Sequence, residues 1–142
     1  MGKQSLSQPG SKSAGSAPAV KQPVSFVVGP EFADTFKAFK KAGLGDRVSK
    51  ALDKFKNSKE ADPRAPYGGS DKPFLGDGHF SGLSHAHLTH NISLVYRLDN
   101  AANQLKLYGF YTHDDLGTGS PPNLRKQSTV GPRLKSQVFE HG

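Results

Sequence analysis

Residues 84–113, SHAHLTHNISLVYRLDNAANQLKLYGFYTH, contain the pattern that decides the fold. Strand-like runs lie at about 79–88, 92–98 and 104–111, and short polar turns separate them. Runs of this length that are rich in β-branched and aromatic residues are typical of neighbouring antiparallel strands. This part of the chain is therefore predicted to form a three-stranded antiparallel β-meander.

Side-chain alternation along the middle run predicts which of its faces enters the core. The residues of the core face are all apolar: Ile92, Leu94, Tyr96 and Leu98. The opposite, more polar face carries Ser93, Val95 and Arg97. Pairing Ala86 with Leu94 and Leu88 with Ile92 keeps apolar side chains opposite each other and leaves a three-residue turn at 89–91.

This pairing brings several histidines to one end of the predicted sheet. His85 and His87 fall on the polar face of the meander. A turn near residue 101 returns the end of the last strand to the side of the 89–91 turn. We therefore expect a cluster of four polar side chains there: His87, His90, Asn91 and His113.

His113 joins this cluster only if the last strand ends before residue 113. Leu105 and Leu107 belong to the core face, and strict alternation would carry His113 to that same face. The chain must therefore turn just after Tyr111 for the imidazole to face the others.

A strand and two helices are predicted before the meander. Residues 24–28 are β-branched and aromatic and predict a short strand. The first helix places three rings on one face: Phe32, Phe36 and Phe39. Gly43 ends this helix, and the second has an apolar stripe formed by Leu44, Val48, Leu52 and Phe55. Three Pro and four Gly predict a long loop over residues 57–78.

The predicted fold is α+β, with an N-terminal strand and a helical hairpin packed on the antiparallel meander. This domain spans residues 24–116. Residues 1–23 contain three Lys and no acidic residue and are predicted to form a disordered basic arm. Residues 117–142 are rich in Pro, Gly, Ser and basic residues and are predicted to form a flexible basic tail.

Composition excludes several classes of protein. The 142 residues include no Cys, which excludes disulfide frameworks, thiolate zinc sites and cysteine nucleophiles. Neither a secretory signal nor a run of ~20 apolar residues is present, so a cytoplasmic protein without membrane contact is expected. The net charge of +7 favours an anionic partner such as nucleic acid, although 1–23 and 117–142 carry most of it.

The histidine cluster is compatible with two kinds of chemistry. Imidazole has a pKa near 6.5, so one ring can accept a proton while another donates one at neutral pH. Such transfers, with a cation beside the phosphate, are what cleavage of RNA by its own 2'-hydroxyl requires. Zinc could instead bind three of His85, His87, His90 and His113, although no known metal-binding spacing is present. A chance grouping of strand-surface histidines is the third interpretation.

Short motifs run through residues 71–113 and resemble the C-terminal half of RelE-superfamily toxins, most closely the YafQ-like mRNA interferases. The shared features are a D-x-P-L loop, a Gly-rich step, H followed by an aliphatic residue, L-(I/V)-Y-(K/R)-L, an apolar strand and a terminal T-H. In this chain they are Asp71 to Phe74, Gly82, His87-Leu88, Leu94 to Leu98, Leu105 to Leu107 and Thr112-His113. The preceding strand–helix–helix order also agrees with the RelE fold.

The resemblance implies a toxin that enters the ribosomal A site, cuts mRNA without a metal or other cofactor, and is neutralised by a cognate antitoxin. It implies that His87 and His113 are the two histidines of the active cleft. Arg97 matches a basic position on the middle strand.

Three positions depart from the family pattern. The family's loop histidine is Lys72 here, its acidic turn residue is Asn91, and the aromatic residue after the T-H segment is Gly117. Lys72 retains a positive charge for phosphate, and His85 or His90 can supply a proton-transfer group.

The chain is therefore predicted to be a ribosome-dependent endoribonuclease. His87 and His113 would exchange protons with the 2'-hydroxyl and the leaving 5'-oxygen. The predicted RNA contacts are Lys72, His85, His90, Asn91 and Arg97. Three alternatives stay open: a non-catalytic RNA- or ribosome-binding protein on the same scaffold, a ParE-like gyrase inhibitor and a zinc-dependent hydrolase.

Overall fold

In a computed structural model, the described residues are 23–68, 71–74, 78–89 and 91–139. They form the strands β1 (Ser25–Val28), β2 (Lys72–Pro73), β3 (Ser84–Thr89), β4 (Ile92–Asp99) and β5 (Gln104–Tyr111). The helices are α1 (Phe32–Lys41), α2 (Gly45–Ala61), α3 (His113–Leu116) and α4 (Leu124–Lys135). The predicted arm at 1–23 lies outside the described residues except for residue 23. Within the described ranges, no helix is long and apolar enough to cross a bilayer.

The strands form one mixed sheet in the order β1-β5-β4-β3-β2. β3, β4 and β5 are successive antiparallel neighbours, so the predicted meander and the α+β fold class are confirmed. β1 lies parallel to β5, which the long connection through the helices and the meander allows. β2 pairs with β3 at the edge. The predicted loop at 57–78 is therefore shorter than expected, because α2 extends to Ala61 and Lys72–Pro73 form this edge strand.

The register between β3 and β4 is close to the predicted one. Ala86 lies opposite Leu94, as expected. Thr89, however, lies opposite Ile92, where Leu88 was predicted. The register shifts between His87 and Thr89, so one extra residue is accommodated in β3 before the turn.

α1 and α2 pack on one face of the sheet and form the first core. Its fully buried members include Val48, Phe55, Leu94, Leu105 and Leu107. The rings of Phe32 and Phe36 lie against Phe110, with centroids 5.0 and 6.0 Å apart. Burial of each large apolar side chain contributes about 1.5–3 kcal/mol, so this core supplies a large part of the driving force for folding.

The other face is covered by α4, so the prediction of a flexible tail is wrong for residues 124–135. Val130 and Leu134 of α4 are buried there. They complete a second core with Phe80, Leu83, Val95, Tyr108, Tyr111 and Leu116. The helical pattern is weak in the sequence because only two large apolar residues face inward and Gly131-Pro132 lies between them.

Candidate active site

Two imidazoles meet at one end of the sheet. The Nε2 atoms of His87 and His113 are 3.2 Å apart, and the ring centroids are 5.3 Å apart. His87 lies on β3 opposite Ser93, and His113 is the first residue of α3. Because the two nitrogens are within hydrogen-bonding distance, one proton lies between them when both rings are neutral.

A β-bulge in β5 explains why the end of this strand faces His87. The register between β4 and β5 shifts so that Tyr108 has no direct partner and Gly109 lies opposite Val95. The extra residue resets the alternation of side chains. Phe110 consequently packs in the first core and Tyr111 in the second core, which is the face of His87. Strict alternation along β5, which would place Tyr111 with the first core, is therefore wrong.

The predicted turn just after Tyr111 is present and begins α3. Thr112 is the N-cap of this helix, and its Oγ1 accepts a hydrogen bond from the Asp115 backbone N–H at 3.1 Å. The Asp115 carboxylate accepts one in return from the Thr112 N–H at 3.0 Å. This capping box fixes the direction in which the chain leaves the sheet and so places His113 beside His87.

The histidine pair lines a pocket of 340 Å³. Its other lining residues are Lys72, Pro73, Phe74, His85, Ser93, Leu116 and Thr118. Lys72 is exposed on edge strand β2 and lies opposite His85 in the ladder. The pocket thus combines two facing imidazoles, apolar surface and an exposed cation.

His85 shares the pocket, and its surroundings keep it uncharged near neutral pH. Its ring contacts Phe74, with centroids 4.5 Å apart, and lies 5.8 Å from the ring of His87. Burial, followed by electrostatic interactions with His87, Lys72 and His113, lowers the pKa of His85 to about 4. His85 is therefore a neutral hydrogen-bonding group near pH 7.

Two of the predicted RNA contacts, Arg97 and Asn91, do not line this pocket. Arg97 is not among the lining residues; it is four residues beyond Ser93, roughly 13 Å along β4. Its Nε donates a hydrogen bond to the hydroxyl of Tyr108 at 3.4 Å. Asn91 is exposed in the turn between β3 and β4 and also does not line the pocket. The predicted contact His90 lies outside the described residues.

The strand that carries Lys72 is held by a buried ion pair that sequence reasoning missed. Asp71 Oδ2 accepts a hydrogen bond from Lys59 Nζ at 2.7 Å, and the two side chains are 1% and 3% exposed. The Asp71 carboxylate also accepts hydrogen bonds from the Tyr96 hydroxyl and the Tyr67 backbone N–H. α2, β4 and the 65–67 segment thus converge on the residue before Lys72. The D-x-P-L motif contains Asp71, but nothing in the sequence marks Lys59 as its partner.

The path of the chain after α3 explains why position 117 is glycine, where the family pattern has an aromatic residue. This residue has φ +74°, and a Cβ there would lie 2.6 Å from the carbonyl oxygen of Asn123. An aromatic side chain does not fit, and glycine allows the chain to turn towards α4. The next residue, Thr118, places Oγ1 3.1 Å from Nδ1 of His113. No motif or periodicity points to Thr118, so sequence reasoning assigned it no role.

Comparisons with known proteins were made by sequence and by structure. No protein-family model and no curated protein matches the sequence. A chain of the E. coli DinJ-YafQ toxin-antitoxin complex has a TM-score of 0.53 at 17% identity, over 67% of this chain and 98% of its own. The YoeB/ParE toxin from Agrobacterium tumefaciens has a TM-score of 0.52 at 18% identity, over 63% of this chain and 99% of its own.

YafQ from E. coli strain BL21(DE3) also matches, with a TM-score of 0.50 at 18% identity, over 66% of this chain and 97% of its own. The neighbours are thus matched over nearly their whole length, while about a third of this chain lies outside each match. A likeness at these identities establishes the architecture. The chain therefore has the RelE/ParE-type toxin fold that the sequence resemblance predicted.

Proposed function

We propose that this protein is a ribosome-dependent endoribonuclease that cleaves mRNA at the pocket of His87 and His113. The observation that supports this most directly is the 3.2 Å separation of the two Nε2 atoms beside an exposed Lys72. Of two neutral rings that share one proton, one holds a proton to donate and the other a lone pair that accepts one. General acid and base catalysis need this combination within one site.

The proposed reaction is an internal transfer at phosphorus. One imidazole takes the proton of the 2'-hydroxyl as its oxygen attacks, and the other gives a proton to the 5'-oxygen as the P–O5' bond breaks. The products are a 2',3'-cyclic phosphate and a 5'-hydroxyl. The ammonium of Lys72 stabilises the negative charge that develops on the phosphoryl oxygens, and neutral His85 donates or accepts a hydrogen bond beside it.

The ribosome and an antitoxin are the proposed macromolecular partners. Positioning of mRNA in the ribosomal A site would supply the alignment of 2'-oxygen, phosphorus and 5'-oxygen that so small a pocket does not provide alone. The neighbouring fold of the DinJ-YafQ toxin-antitoxin complex supports a cognate antitoxin as the regulatory partner.

Primer extension on mRNA from a translation extract tests the proposal. The purified chain should create new 5' ends on translated mRNA and none on the same RNA without ribosomes. His87→Ala and His113→Ala should each reduce cleavage by about 100-fold or more. His79→Ala is the matched control, because His79 is an exposed histidine that does not line the pocket. Equal cleavage by all four proteins contradicts the proposed mechanism.

The replacement of the family's loop histidine by Lys72 favours a second candidate, a non-catalytic RNA- or ribosome-binding protein. In that case the chain would sediment with ribosomes, its affinity would fall steeply with salt, and no new 5' ends would form. A ParE-like gyrase inhibitor would instead block DNA supercoiling by purified gyrase. Loss of cleavage on addition of a chelator would point to the zinc-dependent hydrolase.

A further inference from the structure

His113 is held from the side opposite His87 by the C-terminal segment. Thr118 Oγ1 lies 3.1 Å from His113 Nδ1, and the Thr118 backbone N–H donates to the His113 carbonyl oxygen at 2.9 Å. Both ring nitrogens of His113 therefore have a partner, Nε2 in His87 and Nδ1 in Thr118. A second partner on an imidazole fixes both its tautomer and the orientation of its plane.

α4 fixes the turn that carries Thr118. The carbonyl oxygen of Gly117 accepts a hydrogen bond from the side-chain amide of Gln127 at 2.7 Å. It accepts another from the backbone N–H of Asn123, the N-cap of α4, at 2.9 Å. The place of Thr118 is thus set by a helix that is anchored in the second core.

The hydrogen-bond partners also favour one tautomer of each ring. If His113 carried the proton between the two Nε2 atoms, His87 would carry its own proton on Nδ1. That atom is buried and has no hydrogen-bond partner among the described residues. Buried N–H groups without an acceptor are rarer than acceptors without a donor. The favoured arrangement is therefore His87 Nε2–H donating to His113 Nε2, with His113 Nδ1–H donating to Thr118 Oγ1.

We propose that Thr118 is a positioning residue that accepts a hydrogen bond from His113 Nδ1–H and keeps Nε2 of His113 directed into the pocket, towards His87. This inference rests on the proposed proton-transfer role of His113. It adds the C-terminal segment to the machinery of the site, since Thr118 lies in the part of the chain predicted to be a flexible tail.

Histidine-ring ¹⁵N spectra of the full chain test the contact without any assay of activity. In the wild type, Nδ1 of His113 should be protonated and Nε2 unprotonated. Thr118→Val removes the hydroxyl at nearly constant volume and should shift the signal of His113 Nδ1, whereas Thr118→Ser should leave it close to that of the wild type. Ser128→Ala is the control, because Ser128 is exposed on α4 and its hydroxyl donates a hydrogen bond to the Arg125 carbonyl oxygen of the same helix. An unchanged His113 Nδ1 signal in Thr118→Val would overturn the inference.

Cleavage kinetics give a second readout. One neutral hydrogen bond corresponds to a change of about 3- to 10-fold in rate, so kcat of Thr118→Val should fall by that factor with KM unchanged. Thr118→Ser should recover most of the loss, and equal loss in both variants contradicts a role for the hydroxyl. If the wild type cleaves no RNA, the proposed function fails, while the ring spectra still decide whether Thr118 holds His113.

Discussion

Replacement of Asp71 by leucine should destabilise the fold by about 3–5 kcal/mol, because it removes one half of a buried ion pair. The lost carboxylate accepts hydrogen bonds from Lys59 Nζ, the Tyr96 hydroxyl and the Tyr67 N–H. Lys59 then keeps its hydrogen bond to the carbonyl oxygen of Ala65, at 2.7 Å, and its position over the rings of Phe55 and Tyr96, but it loses the only anionic partner found for it among the described residues. Because the side chains of Lys59 and Asp71 are 3% and 1% exposed, an unpaired charge at this place is costly.

Urea unfolding followed by far-ultraviolet circular dichroism measures this loss. With a slope m of about 2 kcal/mol/M, a loss of 4 kcal/mol lowers the midpoint by about 2 M. Lys106→Met is the control, since the ion pair of Lys106 with Asp99 is partly exposed and longer, at 3.6 Å. It should change the unfolding free energy by less than about 1 kcal/mol. A loss below about 1 kcal/mol for Asp71→Leu at unchanged m would refute the reasoning.

A double variant separates the cost of an unpaired charge from the value of the pair. Lys59→Met combined with Asp71→Leu leaves no charge buried at this place and keeps its volume filled. Replacement of a whole buried ion pair by apolar residues is often neutral or stabilising, so the double variant should be clearly more stable than Asp71→Leu alone. Additive losses from the two single variants would show that the side chains are not coupled.

Three further outcomes are expected. Leu134→Ala should cost about 2–5 kcal/mol in urea unfolding, because Leu134 is fully buried in the second core. Gly117→Ala should cost at least about 1 kcal/mol in the same assay, since φ is +74° and Cβ would meet the Asn123 carbonyl oxygen. The unfolding free energy should also fall as pH drops from about 6.5 to 4. Burial lowers the pKa of His85 to about 4, so in this range the His85 side chain binds a proton in the unfolded chain but not in the folded one. His85→Asn should flatten this part of a profile measured by urea unfolding at stepped pH.

Alternation in the middle strand predicted much of the fold because the helical hairpin buries most of one face of β4. Leu94 and Tyr96 pack in the first core, as their positions indicate. Val95 was assigned to the polar face, yet it is buried in the second core. This burial depends on α4, a helix far along the chain whose weak periodicity predicted a flexible tail. Sequence patterns show which side chains alternate, but a distant helix decides whether the second face is also covered.

The candidate site was predictable where it depends on local pairing. The position of His87 follows from the register beside it, which Ala86 opposite Leu94 confirms, whereas the predicted pair of Leu88 with Ile92 is wrong. The reasoning for His113 needed a correction, because the bulge at Tyr108 shifts the alternation of β5 by one residue. The contact of Thr118 with His113 and the ion pair of Lys59 with Asp71 could not be predicted. Each joins two segments of the chain, and no sequence motif or periodicity links those segments.

The two sides of the sheet hold different parts of the candidate site. Lys72 follows Asp71, and the ion pair of Asp71 with Lys59 lies on the side of the first core. His113 contacts Thr118, which α4 holds on the side of the second core. These anchors share no residue, so a change in α4 should alter the orientation of His113 without moving the cation, and a change at the ion pair should do the reverse. The net charge of +7 therefore says little about the site, which depends on one exposed lysine and two imidazoles that separate anchors hold in place.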